Sequence, residues 1–323
     1  MIRILDYSWH QVHSYRLHAL PAEFTYAIFR YPIWNELQRP VPQNFVGALL
    51  PDEIDAREFD LALLHLDQWC DTSNNIRALP YRLMNQIAQD IPRVVIMHGT
   101  PDSEENRRSI LGLIGDLPVV CNSFRAAAEW DGGEGRRDCY GLPQFRTIIH
   151  GYDADEFWSN ELETRRREIV TVCSGGNISR EYHGLPLVER LKRDVPLAWY
   201  GPRGDRPWLP DYISYRRMLA SSLIYFSPTR RAPMPGARTE AMLSGCCVVT
   251  VPGNDVERYI EDEKTGFIVV DYEEAHAVLL ALLDNPASAW EIGQAGREVA
   301  REMFRKERFV GDWLRVLEAI GVC

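Results

Sequence analysis

Short, unbroken apolar runs alternate with stretches of helical period along most of the chain. In the first half IRIL (2–5), FTYAIF (24–29), LALLHL (61–66), RVVIM (93–97), PVVC (118–121) and RTII (146–149) have the continuity of strands buried on both faces of a parallel sheet. Helical patterning covers 76–89 and 124–130, the latter behind Ser123, a suitable N-cap. A charged, helix-prone stretch at 161–168 interrupts the alternation, and the connection between two halves is expected around 155–168. A second series follows: IVTVC (169–173), LAWY (197–200), LIYF (223–226), CVVTV (247–251) and FIVV (267–270), with helices expected at 184–192, 236–244 and 273–283. The end, 289–320, reads as helix. Phe309, Trp313, Val316, Leu317 and Ile320 form an apolar stripe on it.

Two strand–helix series predict an α/β chain of two doubly wound, Rossmann-like domains facing a cleft, one over 1–155 and one over 156–305. The remainder, 306–323, is expected to cross back to the first domain. A chain of 323 residues suffices for two cores. Ligands in such sheets bind beyond the carboxyl ends of the strands, so the loops there are where chemistry is expected.

Charge and composition narrow the partners. The formal net charge is −10, which disfavours nucleic acid and anionic lipid. No apolar run reaches the ~18 residues of a membrane span. The opening MIRILDYSWHQ lacks the basic flank and cleavage site of a signal peptide and reads as a strand. A cytoplasmic location with at most peripheral membrane contact is expected. Seven cysteines, none at zinc or redox spacing, read as reduced thiols, with Cys246 and Cys247 in the core. Walker A, G-x-S-x-G, H-E-x-x-H and G-x-G-x-x-G motifs are missing. Asp153-Ala154-Asp155 mimics a metal-binding D-x-D, but it lies between the halves and reads as structural. Neither a metal nor a cofactor is expected.

The most informative segment is SPTRRAPMPGARTEAMLSGCCVVTVPGNDVERYIEDEKTGFIV (227–269): strand end, Pro/Gly loop, helix, Gly245, buried strand. A loop feeding a helix N-terminus suits an anion, because free amides and the helix dipole converge there. Arg230, Arg231 and Arg238 bring guanidinium groups to the same stretch. Glu240, placed on the first turn, either accepts hydrogen bonds from ribose hydroxyls or only complements the dipole.

EAMLSGCCVV followed by TGFIV resembles the donor half of the retaining GT-B glycosyltransferases, the group 1 or family 4-like enzymes. Pieces in the family's order accompany it: CNS (121–123), IIHGYDADEF (148–157), SGGNISREYHG (174–184) and LAWYGPRG (197–204). The resemblance spans most of 93–285. It implies a nucleotide sugar as substrate, with a donor site drawn from Gly175, Arg180, His183, Tyr200, Gly201, Arg231, Met234, Gly236, Ala237, Arg238 and Glu240. The nucleotide is UDP by family frequency, with GDP as alternative. The family's earlier glutamate, eight residues before Glu240, is Ala232 here, and Pro233 and Pro235 remove amides from the loop. These departures bear on retention.

In the first half, MHGTPD (97–102) puts His98 after a strand, where family members often carry a histidine close to the reacting sugar. The plain alternative is a capped polar residue. WHQVHSYR (9–16) replaces the family's Gly-rich loop, and His10 and His13 there either serve the acceptor side or belong to a polar helix start. The resemblance thus implies a hexosyltransferase acting on a glycan, lipid-linked or small-molecule acceptor. His98 and Arg180 are its catalytic candidates. An inverting route would need a base such as His98 or His10. Rivals are an epimerase or phosphorylase on the same fold, and a catalytically inactive sugar-nucleotide-binding partner protein.

Overall fold

The apolar runs of the first half are strands, all paired in parallel. The structure, a computed structural model, describes residues 1–70, 76–173, 180–253 and 255–322. In chain order it begins with β1 (Ile2–Tyr7), α1 (Gln11–Leu17), β2 (Ala22–Ala27), β3 (Phe45–Leu49) and β4 (Leu61–Leu66). Then come α2 (Leu79–Ile87), β5 (Arg93–Met97), α3 (Glu104–Ile114), β6 (Val119–Cys121), α4 (Phe124–Asp131) and β7 (Phe145–Thr147). The sheet order is β3-β2-β1-β4-β5-β6-β7. Every residue of β4 is buried because alternate side chains enter two cores. Ala62, Leu64 and Leu66 join one, Leu61 and Leu63 the other. β3 was not foreseen: it is an edge strand, only half-buried, with Gly47 breaking its apolar run.

The second series is β8 (Arg166–Val172), α5 (Leu185–Asp194), β9 (Leu197–Tyr200), α6 (Tyr212–Ser221), β10 (Ser222–Ser227), α7 (Gly236–Leu243), β11 (Cys247–Thr250) and β12 (Phe267–Ile268). Its parallel sheet runs β12-β11-β10-β8-β9. Three helices follow, α8 (Tyr272–Asp284), α9 (Pro286–Met303) and α10 (Lys306–Ala319). The helix-prone reading of 161–168 is corrected: only a 3₁₀ turn, Leu162–Thr164, precedes β8. Arg165 explains it. Its buried guanidinium donates to the carbonyls of Ser222 (2.5 Å) and Ser244 (2.6 Å), tying the chain to the sheet. The single helix expected over 289–320 is two, with Phe304 capping the first.

The chain divides into two compact units, Met1–Gly151 with Lys306–Cys323, and Tyr152–Arg305. Helix α10 therefore belongs with β1–β7. Phe309, Trp313, Val316, Leu317 and Ile320 pack with Ile4, Leu17 and Phe24. Arg308 donates to the carbonyls of Ile149 (2.9 Å) and His150 (2.7 Å). A Cβ at Gly151 would stand 2.3 Å from Phe309 Cβ, so only glycine admits this approach. No described helix is long and apolar enough to cross a membrane.

Candidate functional site

In the Tyr152–Arg305 unit the strand order reverses between β8 and β10, the point at which open α/β sheets bind ligands. The loops beyond these strands are knit together. Arg230 N–H donates to the Tyr182 carbonyl (3.1 Å). Gly184 caps α5 in the left-handed region (φ 68°), where a Cβ would stand 2.0 Å from the Pro228 carbonyl oxygen. Beyond β9, Gly201 lies against the Cys173 carbonyl, with room for no Cβ. Tyr200, His183 and Arg231 are half-buried, and Met234 is buried. Burial lowers the His183 pKa, so its imidazole favours the neutral form. Gly175 lies outside the described residues.

Glu240 lies on the second turn of α7, not the first, since the helix begins at Gly236. Its buried carboxylate accepts from the Tyr215 hydroxyl of α6 at 2.7 Å. The helix-dipole role loses ground, because that effect fades beyond the first turn. Two arginines of the expected donor site are engaged by other side chains. Arg238 is fully buried, donating to the Tyr259 hydroxyl and to Thr250 Oγ1 (3.4 Å). It points beneath α7, because the i+2 position of a helix turns away from the loop at its start. Arg180 is half-exposed and paired with Glu189 at 2.5 Å. Asp153 accepts from Asp155 N–H and caps a short turn.

In the other unit the order reverses between β1 and β4, and polar side chains gather at that end. Asp6 and His65 are the penultimate residues of β1 and β4, and His98 follows β5. His65 Nε2 lies 2.7 Å from Asp6 Oδ1, and its Nδ1 lies 2.9 Å from His98 Nε2. Around His98 stand Trp9 and His10, stacked at 6.3 and 6.2 Å, and His13, edge-on at 5.0 Å. Arg16 Nη1 donates to His150 Nδ1 at 2.6 Å. His13 is buried and His10 open to solvent, on either side of the start of α1. Burial, then neighbouring histidines and arginines, pushes the pKa values of His13, His98 and His150 well down. Although histidines crowd this end, no group of three or more possible metal ligands occurs among the described residues.

Sequence reading found His10, His13 and His98 but missed Asp6, His65 and His150. The signal was present. A histidine inside LALLHL and an aspartate inside IRILDY are polar residues in otherwise buried strands, which require partners.

Residues 210–299 match the family of glycosyl transferases group 1. That stretch holds Tyr215, Arg238 and Glu240, so the Tyr152–Arg305 unit carries a glycosyltransferase group 1 domain. The fold is similar to that of Anabaena HepE in complex with UDP-glucose: TM-score 0.75, 14% identity, 99% of this chain and 100% of that one. It is also similar to sucrose-phosphate synthase from Thermosynechococcus elongatus: TM-score 0.67, 15% identity, 99% and 100% covered. A glycosyltransferase from Rickettsia africae ESF-5 gives a TM-score of 0.69 at 12% identity, with 99% and 98% covered. At these identities the likeness is one of fold, two Rossmann-like units of the GT-B class. No curated protein sequence matches the chain.

Proposed function

We propose that the chain moves a sugar from a nucleoside diphosphate sugar to a glycan, lipid-linked or small-molecule acceptor, in the cytoplasm and without a metal ion. UDP is the favoured nucleotide, with GDP as the alternative. The observation that carries this reading is the knitted pair of loops beyond β8 and β10, followed by a helix whose buried Glu240 is held by Tyr215. The group 1 match over the same stretch supports it, as does the UDP-glucose bound to HepE.

In this reading Glu240 holds the ribose, and Tyr200 and Gly201 border the base. Arg231 and the amides of Gly236 and Ala237 meet the charge of the diphosphate. One donor aimed at a developing oxyanion is worth about 2.7–4 kcal/mol, so a small set suffices. Arg180 joins them by leaving Glu189, a half-exposed pair whose loss costs about 1 kcal/mol or less. Arg238 supports α7 from beneath instead. The resemblance favours retention, with His98 near the reacting sugar and His10 and His13 on the acceptor side.

Calorimetric titration with UDP and GDP, with and without a chelator, tests this. Binding of one nucleotide that is unchanged by chelator is expected. Silence with both nucleotides contradicts the donor site, and affinity that collapses in chelator contradicts metal independence.

A further inference from the structure

Asp6, His65 and His98 form one hydrogen-bonded line across the carboxyl ends of three adjacent strands. Asp6 is fully buried, and its Oδ1 also accepts the Tyr7 N–H at 2.7 Å, which marks that oxygen as an acceptor. His65 must therefore carry its proton on Nε2, leaving the Nδ1 lone pair facing His98. His98 in turn donates from Nε2, and the lone pair of its ring rests on Nδ1. The Tyr7 hydroxyl holds the backbone here, accepting the main-chain N–H of His65 at 2.7 Å and donating to its carbonyl at 3.0 Å.

His98 Nδ1 makes no hydrogen bond to the chain among the described residues, and the side chain is only half-buried. An outward lone pair accepts from a hydroxyl and offers nothing to a phosphate oxygen, which also only accepts. We propose that Asp6 and His65 are positioning residues that hold His98 as a hydrogen-bond acceptor at Nδ1, a seat for a sugar hydroxyl and not for a phosphate. The ligand's identity rests on the sugar-transfer reading; the tautomer does not. The buried carboxylate fits the assignment. A fully buried Asp is costly unless paired, and here its pairing sets the polarity of a line that ends on an accessible atom.

The experiment is nitrogen-15 NMR of the histidine rings in the whole chain. Ligand-free protein should show His98 protonated at Nε2 and bare at Nδ1. In Asp6→Ala His65 Nε2 loses the acceptor that fixes its proton, so the opposite tautomer of the line, with His98 protonated at Nδ1, should become populated. UDP alone should leave the Nδ1 resonance in place. If the hydroxyl belongs to the donor sugar, UDP-glucose moves that resonance, and its affinity advantage over UDP falls about tenfold in Asp6→Ala, the loss expected for one hydrogen bond to a polar group. If it belongs to the acceptor, glucose added to the UDP-saturated protein moves it instead. A wild-type Nδ1–H overturns the proposal even if Asp6→Ala does not fold. So does a folded Asp6→Ala with an unchanged tautomer, or a resonance that answers to neither UDP-glucose nor glucose. Failure to bind UDP would strike the donor reading and leave the ligand-free tautomer standing.

Discussion

Tyr215 on α6 donates to Glu240 on α7 across 2.7 Å, so the carboxylate is held by a neighbouring helix and not by the first amides of its own. If that carboxylate grips ribose, Glu240→Gln should weaken UDP and UDP-sugar alike. The loss of charge-assisted hydrogen bonds costs about 1.5–3 kcal/mol, one to two decades in affinity. Tyr215→Phe should weaken both less, by about 0.5–1.5 kcal/mol, because it removes only the group that aims the acid. Calorimetry on both variants checks the order. Equal, negligible losses would mean the pair only braces the two helices.

Gly184→Ala should damage both stability and nucleotide binding. The left-handed φ of 68° costs a Cβ-bearing residue about 1–2 kcal/mol, and the Pro228 carbonyl at 2.0 Å would have to move as well. Since Pro228 opens the loop that leads to Gly236, the displacement should reach the proposed diphosphate contacts. A lower Tm together with weaker UDP binding is expected. A lower Tm with unchanged affinity would detach this junction from the site.

Acid should destabilise the histidine-bearing unit. His18 has its pKa lowered to about 4, mainly by burial, and the buried His13 and His150 lie well below the usual 6.5. Folded pKa values below unfolded ones mean that the unfolded chain binds more protons between pH 6.5 and 4. Stability is therefore complete above the unfolded value and falls as pH drops through that window. Each such histidine adds a slope of up to about 1.4 kcal/mol per pH unit. Urea denaturation across that range measures it. Stability that is flat from pH 7 to 4 would show that these rings protonate freely in the folded chain.

Trp313→Ala should cost about 3–5 kcal/mol, because the indole is fully buried with Ile4, Leu17 and Phe24. The loss should fall on the unfolding of the unit built on β1–β7. Tryptophan-free probes, such as exchange of the β1 and β4 amides, should report it first. Exchange that accelerates in β8–β11 instead would place α10 with the other sheet.

Both sheets were legible because parallel strands buried on two faces read as plain apolar runs, as LALLHL and CVVTV show. What escaped had another physical basis. β3 is an edge strand packed on one side, so Val46 and Gly47 blur its pattern. The break at Phe304 is set by packing and not by a proline or glycine at that point. Within the sites, motif spacing located Glu240, Gly184 and His98 but said nothing of their partners. Tyr215, His65 and Asp6 lie 25, 33 and 92 residues from the groups they serve, and only the fold brings such pairs together. The same blindness put Arg238 at the phosphate: a cation near a loop looks available until the helix is seen to turn it inward.

Turnover tests the central claim most directly. The purified chain would be given UDP- and GDP-sugars, each with and without a panel of soluble glycans, and the products followed by mass spectrometry beside Glu240→Gln. The account predicts free nucleoside diphosphate together with an acceptor heavier by one sugar, and a rate at least tenfold lower in Glu240→Gln, in line with its lost binding energy. A nucleotide sugar converted to its isomer without acceptor, or one bound and left intact under every acceptor, would contradict it.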